Sequence, residues 1–358
     1  MDEPPPTRHA QGGRSRRRLF RWGIELAVLA GAAAFVILGA GGNLGAIANS
    51  FDNLRWHWLL VGAGAELCSI LCLSWLQHAL LRTGGLGVRV RDLLPVTMAS
   101  NAVAQSLPAG ALFAEGYAFR QYQRLGASRA LGAWAELAAG ALATAALASV
   151  AVGGACVVQG PLRWQLLPAL CTVLAGALVA AGLLRRTSVL SRLLSGSLKR
   201  AEHRLPASWC RHIRAAEAQT AQMGTFRPGA GLWAGCYLAA LANWLCDALV
   251  LIAGLLSVGG PVPWHDVVLA YAAAQFLVAL PVTPGGLGVV EGGLVEVLTR
   301  FKVPFSQATA GTLMYRAVSY WFLLAIGWGA AALLAARNRR NDRTTGLVRT
   351  GAGDAPGC

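Results

Sequence analysis

Charge is scarce in this sequence. Asp, Glu, Lys and Arg make up 13% of its 358 residues, about half of the roughly 25% found in soluble domains, while 55% are hydrophobic. Residues 137–158 and 164–184 contain no charge at all, and 22–48 holds only Glu25. Each run reaches the length of about 20 apolar residues needed to cross roughly 30 Å of hydrocarbon, which excludes an ordinary water-soluble domain. Catalytic signatures are missing too. There is no Gly-x-Ser-x-Gly, no His-Glu-x-x-His and no Gly-x-x-x-x-Gly-Lys, and His9, His57, His78, His203, His212 and His265 are dispersed. Catalysis by this chain alone is not expected, and no cofactor or metal is called for.

Acidic residues number 16 against 31 basic ones, a formal charge of +15. The basic residues lie in short segments between apolar runs, as the positive-inside rule expects, and not in a nucleic-acid-binding module. Arg14, Arg16, Arg17, Arg18 and Arg21 precede the first run and imitate a signal peptide. No small-residue cleavage site follows and the run is long enough to span, so a retained first helix is expected. The eight cysteines mostly fall inside predicted spans and read as packing thiols.

What is present is a repeated phrase. Pro108-Ala-Gly-Ala-Leu-Phe-Ala-Glu115-Gly116 returns 176 positions later as Pro284-Gly-Gly-Leu-Gly-Val-Val-Glu291-Gly292. Asp92 and Asp266 precede the two prolines by 16 and 18 residues, and Ser128-x-Ala130 and Ser306-x-Ala308 follow. Each copy lies in an apolar stretch, 92–118 and 266–299, broken by Pro and Gly, which end a helix by removing a donor and relaxing the dihedral limits. The fold class is therefore an all-α polytopic membrane protein. About six full spans (22–42, 56–81, 130–157, 164–184, 231–257 and 308–336) accompany two broken re-entrant hairpins, whose turns are Pro108, Gly110, Pro284, Gly285 and Gly286.

If each broken stretch enters and leaves on one side, one face of the membrane holds residues 1–21, 82–91, 120–129, 185–227 and 337–358. These carry six, three, three, nine and five basic residues, 26 of the 31. That face is expected to be cytoplasmic, with both termini on it, in the cytoplasmic (inner) membrane. The hairpins then open toward opposite sides, so that 92–157 and 266–336 form an inverted repeat, the usual frame of alternating access. The segment 185–227 mixes Leu193, Leu194, Leu198, Trp209 and Ile213 with its nine basic residues. It reads either as a helix on an anionic leaflet or as a solvated linker. The polar tail from Arg337 onward is expected to be disordered.

Ionisable groups at membrane depth cost about 2.5–3.5 kcal/mol each and so mark candidate sites. Glu66, Glu115, Glu136, Asp247, Glu291, Glu296 and Arg316 qualify. Glu115 and Glu291 lead because the repeat pairs them. A half-helix starting just after each Pro-x-Gly would aim its free N–H groups and positive end into the protein. Each Glu either meets a head group or exchanges a proton there, or is a fixed anchor paired with an Arg. Arg316 offers a planar fork to a phosphate, or to Glu291 as a structural bridge. Tyr315, Tyr320 and Trp321 line an aromatic wall or anchor an interface, and Glu136 falls near the repeat position of Arg316. Glu66 and Asp247 rank lower, as network residues. The partners expected are membrane lipids, with a proton or an ion as coupling partner; oligomeric state is open.

The stretch Pro281-Val-Thr-Pro-Gly-Gly-Leu-Gly-Val-Val-Glu291-Gly, with Tyr315-Arg316 and Tyr320-Trp321, resembles the lysylphosphatidylglycerol synthase transmembrane-region family of flippase-like bacterial and archaeal membrane proteins. The resemblance covers roughly residues 20–336. It implies a polytopic lipid-handling domain, which in the best known members moves an aminoacylated phospholipid between leaflets. Those members continue into a soluble aminoacyl-transferase domain, whereas 22 residues follow Ala336 here. The expected function is therefore a lipid flippase or transporter. The alternatives are a non-transporting accessory protein of envelope lipid or glycan synthesis, or a lipid-modifying transferase.

Overall fold

Apolar runs of this length leave the backbone no water to bond, so it bonds to itself as helix. A computed structural model of the chain describes residues 54–157, 228–278 and 283–351 together with a few isolated positions outside them. Among these residues all regular structure is helical, with no strand. The elements are α1 (Trp56–Arg82), α2 (Val90–Ser106), α3 (Gly110–Arg124), α4 (Arg129–Val157), α5 (Ala230–Ser257), α6 (Trp264–Val278), a tight turn at Pro284–Gly286, α7 (Val289–Arg300), α8 (Phe305–Arg316), a π-helical segment (Ala317–Phe322) and α9 (Leu323–Gly351). Four of the described helical runs are long and apolar enough to cross a membrane: α1, α4, α5 and the continuous stretch Phe305–Arg340. The expected spans 22–42 and 164–184, the 185–227 segment and Pro281 lie outside the described residues, apart from isolated positions.

Both apolar stretches carrying the repeated phrase are broken where the prolines predict. α2 and α3 form one helical pair and α6 and α7 the other. The tail departs from expectation, because α9 continues to Gly351 and does not give way to irregular chain at Arg337. Extending a helix adds one backbone bond per residue fixed, and the Arg-rich sequence after Ala336 contains no breaker before Gly346.

α1 and α5 are antiparallel and pack along nearly their whole length. Arg55 N–H donates to Ser257 O (2.8 Å) at one end, Gly62 lies against Val250 and Ala253, and Ser69 pairs with Asn243 near the middle, where Asn243 Nδ2 donates to Ser69 Oγ (2.6 Å). Close approach relies on small residues, as is usual where lipid gives no hydrophobic drive between helices. At Gly254 an added Cβ would meet the backbone of Gly311 and Tyr315, and at Gly154 it would meet that of Leu269.

Among the described residues two large apolar clusters result, beside a small one at Leu147, Val150, Ala151 and Ala272. One gathers Leu76, Leu93, Tyr122, Trp134 and Leu142 around α1–α4; the other gathers Leu251, Leu255, Tyr271, Leu294 and Tyr315 around α5–α8. The last helical run crosses between them, with Trp328 Nε1 donating to Ser106 Oγ (3.1 Å) on α2. Leu60, Leu112 and Leu333 point outward with about 70% of their surface exposed, a pattern that suits lipid contact.

Candidate functional site

The breaker turns have the same backbone. Ala109 sits at φ 52°, ψ 30°, and Gly285, its match in the second phrase, at φ 55°, ψ 20°. Both are left-handed, the conformation that a Pro-x-Gly turn demands at its middle residue. Glycine is required in the second copy for a second reason: a Cβ at Gly285 would run into the Tyr320 ring.

The helices that follow do not begin alike. α3 starts at Gly110, two residues past its proline, so Glu115 lies in the second turn. α7 starts at Val289, five residues past its proline, so Glu291 lies in the first turn. Gly286 and Gly288 hold positive φ (70° and 83°) and prolong the second turn, whereas no glycine follows Gly110 before Gly116. The expectation of a helix starting directly after Pro-x-Gly is thus met in the first copy and corrected in the second.

This offset separates the two carboxylates. Glu291 caps its own helix, its Oε2 accepting from Gly288 N–H (2.6 Å) and its Oε1 from Arg316 Nε (2.6 Å), with side chains only 13% and 9% exposed. Arg316 also donates through Nη2 to Gly285 O (2.9 Å) and lies 4.7 Å from the centre of the Tyr320 ring. The second half-site is therefore a closed unit in which arginine ties the turn, the half-helix and the last span together. Glu115, by contrast, is exposed and has no ion pair among the described residues. It lies near Glu136, and the Tyr122 hydroxyl is the neighbour of Glu136.

Between the two large apolar clusters is a cleft of about 490 Å³ whose largely apolar wall carries several charged and amide side chains, within the 300–1,000 Å³ usual for ligand sites. Glu115, Glu136, Tyr315 and Arg316 all line it, as do the turn residues Gly110 and Gly285. Pro108, Pro284 and Gly286 shape the turns without lining it. Glu296 is elsewhere, in an exposed pair with Arg300 (2.8 Å). Trp321 stands against Tyr320 with ring centres 5.0 Å apart and is exposed.

Glu66 and Asp247, ranked lower from the sequence, also line the cleft and meet across α1 and α5. Other lining residues are not apparent from charge or from the repeat: Asn101, Gln105, Asn243 and Gln275 supply amides from α2, α5 and α6. Neutral amides inside apolar runs are the sequence signal that could have found them. Gln105 belongs to both halves: its Nε2 donates to Ser319 O (3.4 Å), and its own carbonyl accepts from Tyr320 OH (3.1 Å). Ser319 lies in the π-helical segment directly after Arg316, and such widened turns recur at functional sites.

A family model described as the lysylphosphatidylglycerol synthase TM region matches residues 23–327. The chain belongs to this family. It is 40% identical over 55 residues to a UPF0104 membrane protein of Methanocaldococcus jannaschii, covering 15% of this chain and 24% of that relative. Over 91 residues it is 26% identical to a UPF0104 membrane protein of Methanothermobacter thermautotrophicus, covering 25% and 27%. The chain thus spans about a quarter of the length of these relatives. Family membership and the apolar helices together make this a multi-pass membrane protein.

Proposed function

We propose that this protein moves a polar lipid between leaflets, the head group crossing through the central cleft while the acyl chains stay in the bilayer. The observation that carries this reading is the cleft itself, about 490 Å³ in volume, bounded by both broken-helix turns and bringing charged and amide side chains together within a largely apolar lining. Solvating a head group at membrane depth requires such a lining, because an isolated charge there costs several kcal/mol.

The charges favour a head group that carries an amine. Among the described residues four carboxylates, Glu66, Glu115, Glu136 and Asp247, line the cleft against one cation, Arg316, and that cation is already matched by Glu291. An ammonium is thus attracted toward Glu115 and Glu136. Arg316 uses two of its five N–H donors within the protein, which leaves its fork able to meet the lipid phosphate. In this reading Glu115, Glu136, Glu291, Tyr315 and Arg316 bind substrate, and the turns at Pro108 and Pro284 position them. The inverted orientation of the two hairpins and the cytoplasmic placement of both termini belong to the same proposal.

Two measurements test it. Purified protein in liposomes with head-group-labelled lipids should exchange an amine-bearing phospholipid between leaflets, and the exchange should fall at least about tenfold in Glu115→Gln, Glu291→Gln and Arg316→Ala, a loss of about 1.4 kcal/mol of barrier lowering. Exchange of no lipid class would leave a non-transporting lipid-binding protein as the reading, and unchanged exchange in all three variants would remove the site. Reporter fusions at Arg124 and Lys302 should lie on opposite sides of the membrane; a same-side result refutes the inverted repeat.

A further inference from the structure

Near the middle of the α1–α5 interface two carboxylates meet with no cation paired to them among the described residues. The antiparallel register places Glu66, one turn before Ser69, beside Asp247, one turn after Asn243. Glu66 is 3% exposed and its Oε2 has no hydrogen-bond partner. Asp247 Oδ2 accepts from Tyr271 OH (2.7 Å) and from Gln275 Nε2 (3.0 Å), whereas its Oδ1 has none. The titratable groups facing the pair from packed elements are Cys246 on α5, Tyr271 on α6 and Tyr315 and Arg316 on α8. Arg316 is within electrostatic reach but is held by Glu291 and Gly285 O.

Two adjacent carboxylates buried in the helix bundle do not both stay ionised readily, because the repulsion and the lost hydration add. Each carries one buried oxygen without a partner among the described residues, and the two side chains lie within hydrogen-bonding reach of each other. A positive charge between them relieves the repulsion. A hard metal ion asks for about six or more oxygen ligands, and the described residues contain no group of three or more acidic, His or Cys side chains arranged for a metal. A proton needs only the two open oxygens.

We propose that Glu66 and Asp247 form an intramembrane proton site, one proton being held between them and exchanged with the cleft during turnover. The pair lines the cleft, so the proton has an aqueous route that opens and closes with it. A hydrogen-bonded link to the substrate half-site is also present: Gln275 Nε2 donates both to Asp247 Oδ2 and to Tyr315 OH (3.3 Å), and Tyr315 adjoins Arg316 on the same helix, directly before the π-helical segment. Losing the proton leaves Asp247 a stronger acceptor, tightens the Gln275 bridge and so biases the helix that carries Arg316. This supplies the driving ion for the exchange proposed above, and rests on that reading only for what the proton drives.

The site itself is tested without any transport. Intact protein in liposomes is treated with dicyclohexylcarbodiimide, which adds to protonated carboxyls in apolar surroundings, and the adducts are mapped by peptide mass spectrometry. An adduct on Glu66 or Asp247 at neutral pH is expected, its yield falling about tenfold per pH unit once the pair titrates. No adduct on either residue from acid to alkaline pH overturns the proton site. Coupling is tested by imposing a pH gradient during lipid exchange. Stimulation of several-fold is expected in the wild type and a ratio of about one in Glu66→Gln and in Asp247→Asn. Stimulation by a sodium gradient in place of a pH gradient, or undiminished pH stimulation in both variants, overturns the coupling. If no lipid exchanges at all, the transport reading fails alone, and the adduct still decides the proton site.

Discussion

Arg316→Ala is expected to lower stability by about 3 kcal/mol, and with it to abolish lipid exchange. Removing one partner of a buried pair costs about 3–5 kcal/mol because the other charge is left uncompensated. Here the uncompensated group is Glu291, 13% exposed, and Gly285 O loses its donor as well. The lower end of the range applies because Glu291 keeps its bond to Gly288 N–H. Arg316→Lys should recover only part of the loss: an ammonium has no planar fork to reach Glu291 and Gly285 O together. The informative variant is the double one. Arg316→Leu with Glu291→Gln leaves no orphaned charge and should recover much of the lost stability, seen as a melting temperature in detergent closer to the wild type. Its exchange activity should stay absent. A double variant no more stable than Arg316→Ala would mean that the pair is not the element holding turn, half-helix and last span together.

Gly110→Ala should disrupt the first broken helix at a cost of about 3 kcal/mol or more, the upper end of what overpacking usually costs. A Cβ at this position would run into the Ala104 carbonyl on the facing end of α2. The obstacle is backbone, which cannot rotate away as a side chain could. Ala109→Gly, one residue earlier, should act in the opposite sense. Alanine is held there at φ 52°, a conformation that costs a residue with a Cβ about 1–2 kcal/mol. Glycine removes that strain but adds unfolded-state entropy, so a net gain of about 0.5–1 kcal/mol is expected. Thermal unfolding of both variants beside the wild type checks the pair of signs. A neutral Gly110→Ala would show that α2 and α3 do not close on each other as tightly as this geometry requires.

Much of the site was legible in the residues because proline and glycine act locally. Pro108 and Pro284, each with a glycine two residues later, mark the two breaks, and the left-handed residue after each follows from the turn. Scarcity of charge likewise singled out Glu115, Glu136, Glu291 and Arg316, and all but Glu291 line the cleft, Glu291 adjoining it through Arg316. The difference between the two glutamates was not legible. The phrases align residue for residue, yet Gly286 and Gly288 delay α7 by a turn, which lets Glu291 cap its helix and leaves Glu115 facing the cleft. Nor was the length of α9, since composition after Ala336 reads as solvent-exposed chain while helix propagation depends on what precedes it.

Residue type and spacing by themselves determined the membrane class, the two breaks and a short roster of ionisable residues, because each rests on hydration or on the dihedral limits of single residues. The tertiary structure alone decided who partners whom. Arg316 could have met a lipid phosphate or Glu291 at equal sequence plausibility, and the packing of α7 against α8 gave it to Glu291. That choice leaves Glu66 and Asp247 facing each other with no cation paired to them among the described residues. The physical reason is that a buried charge is assigned by the few ångströms between helices that are far apart in the chain, a distance no local pattern encodes.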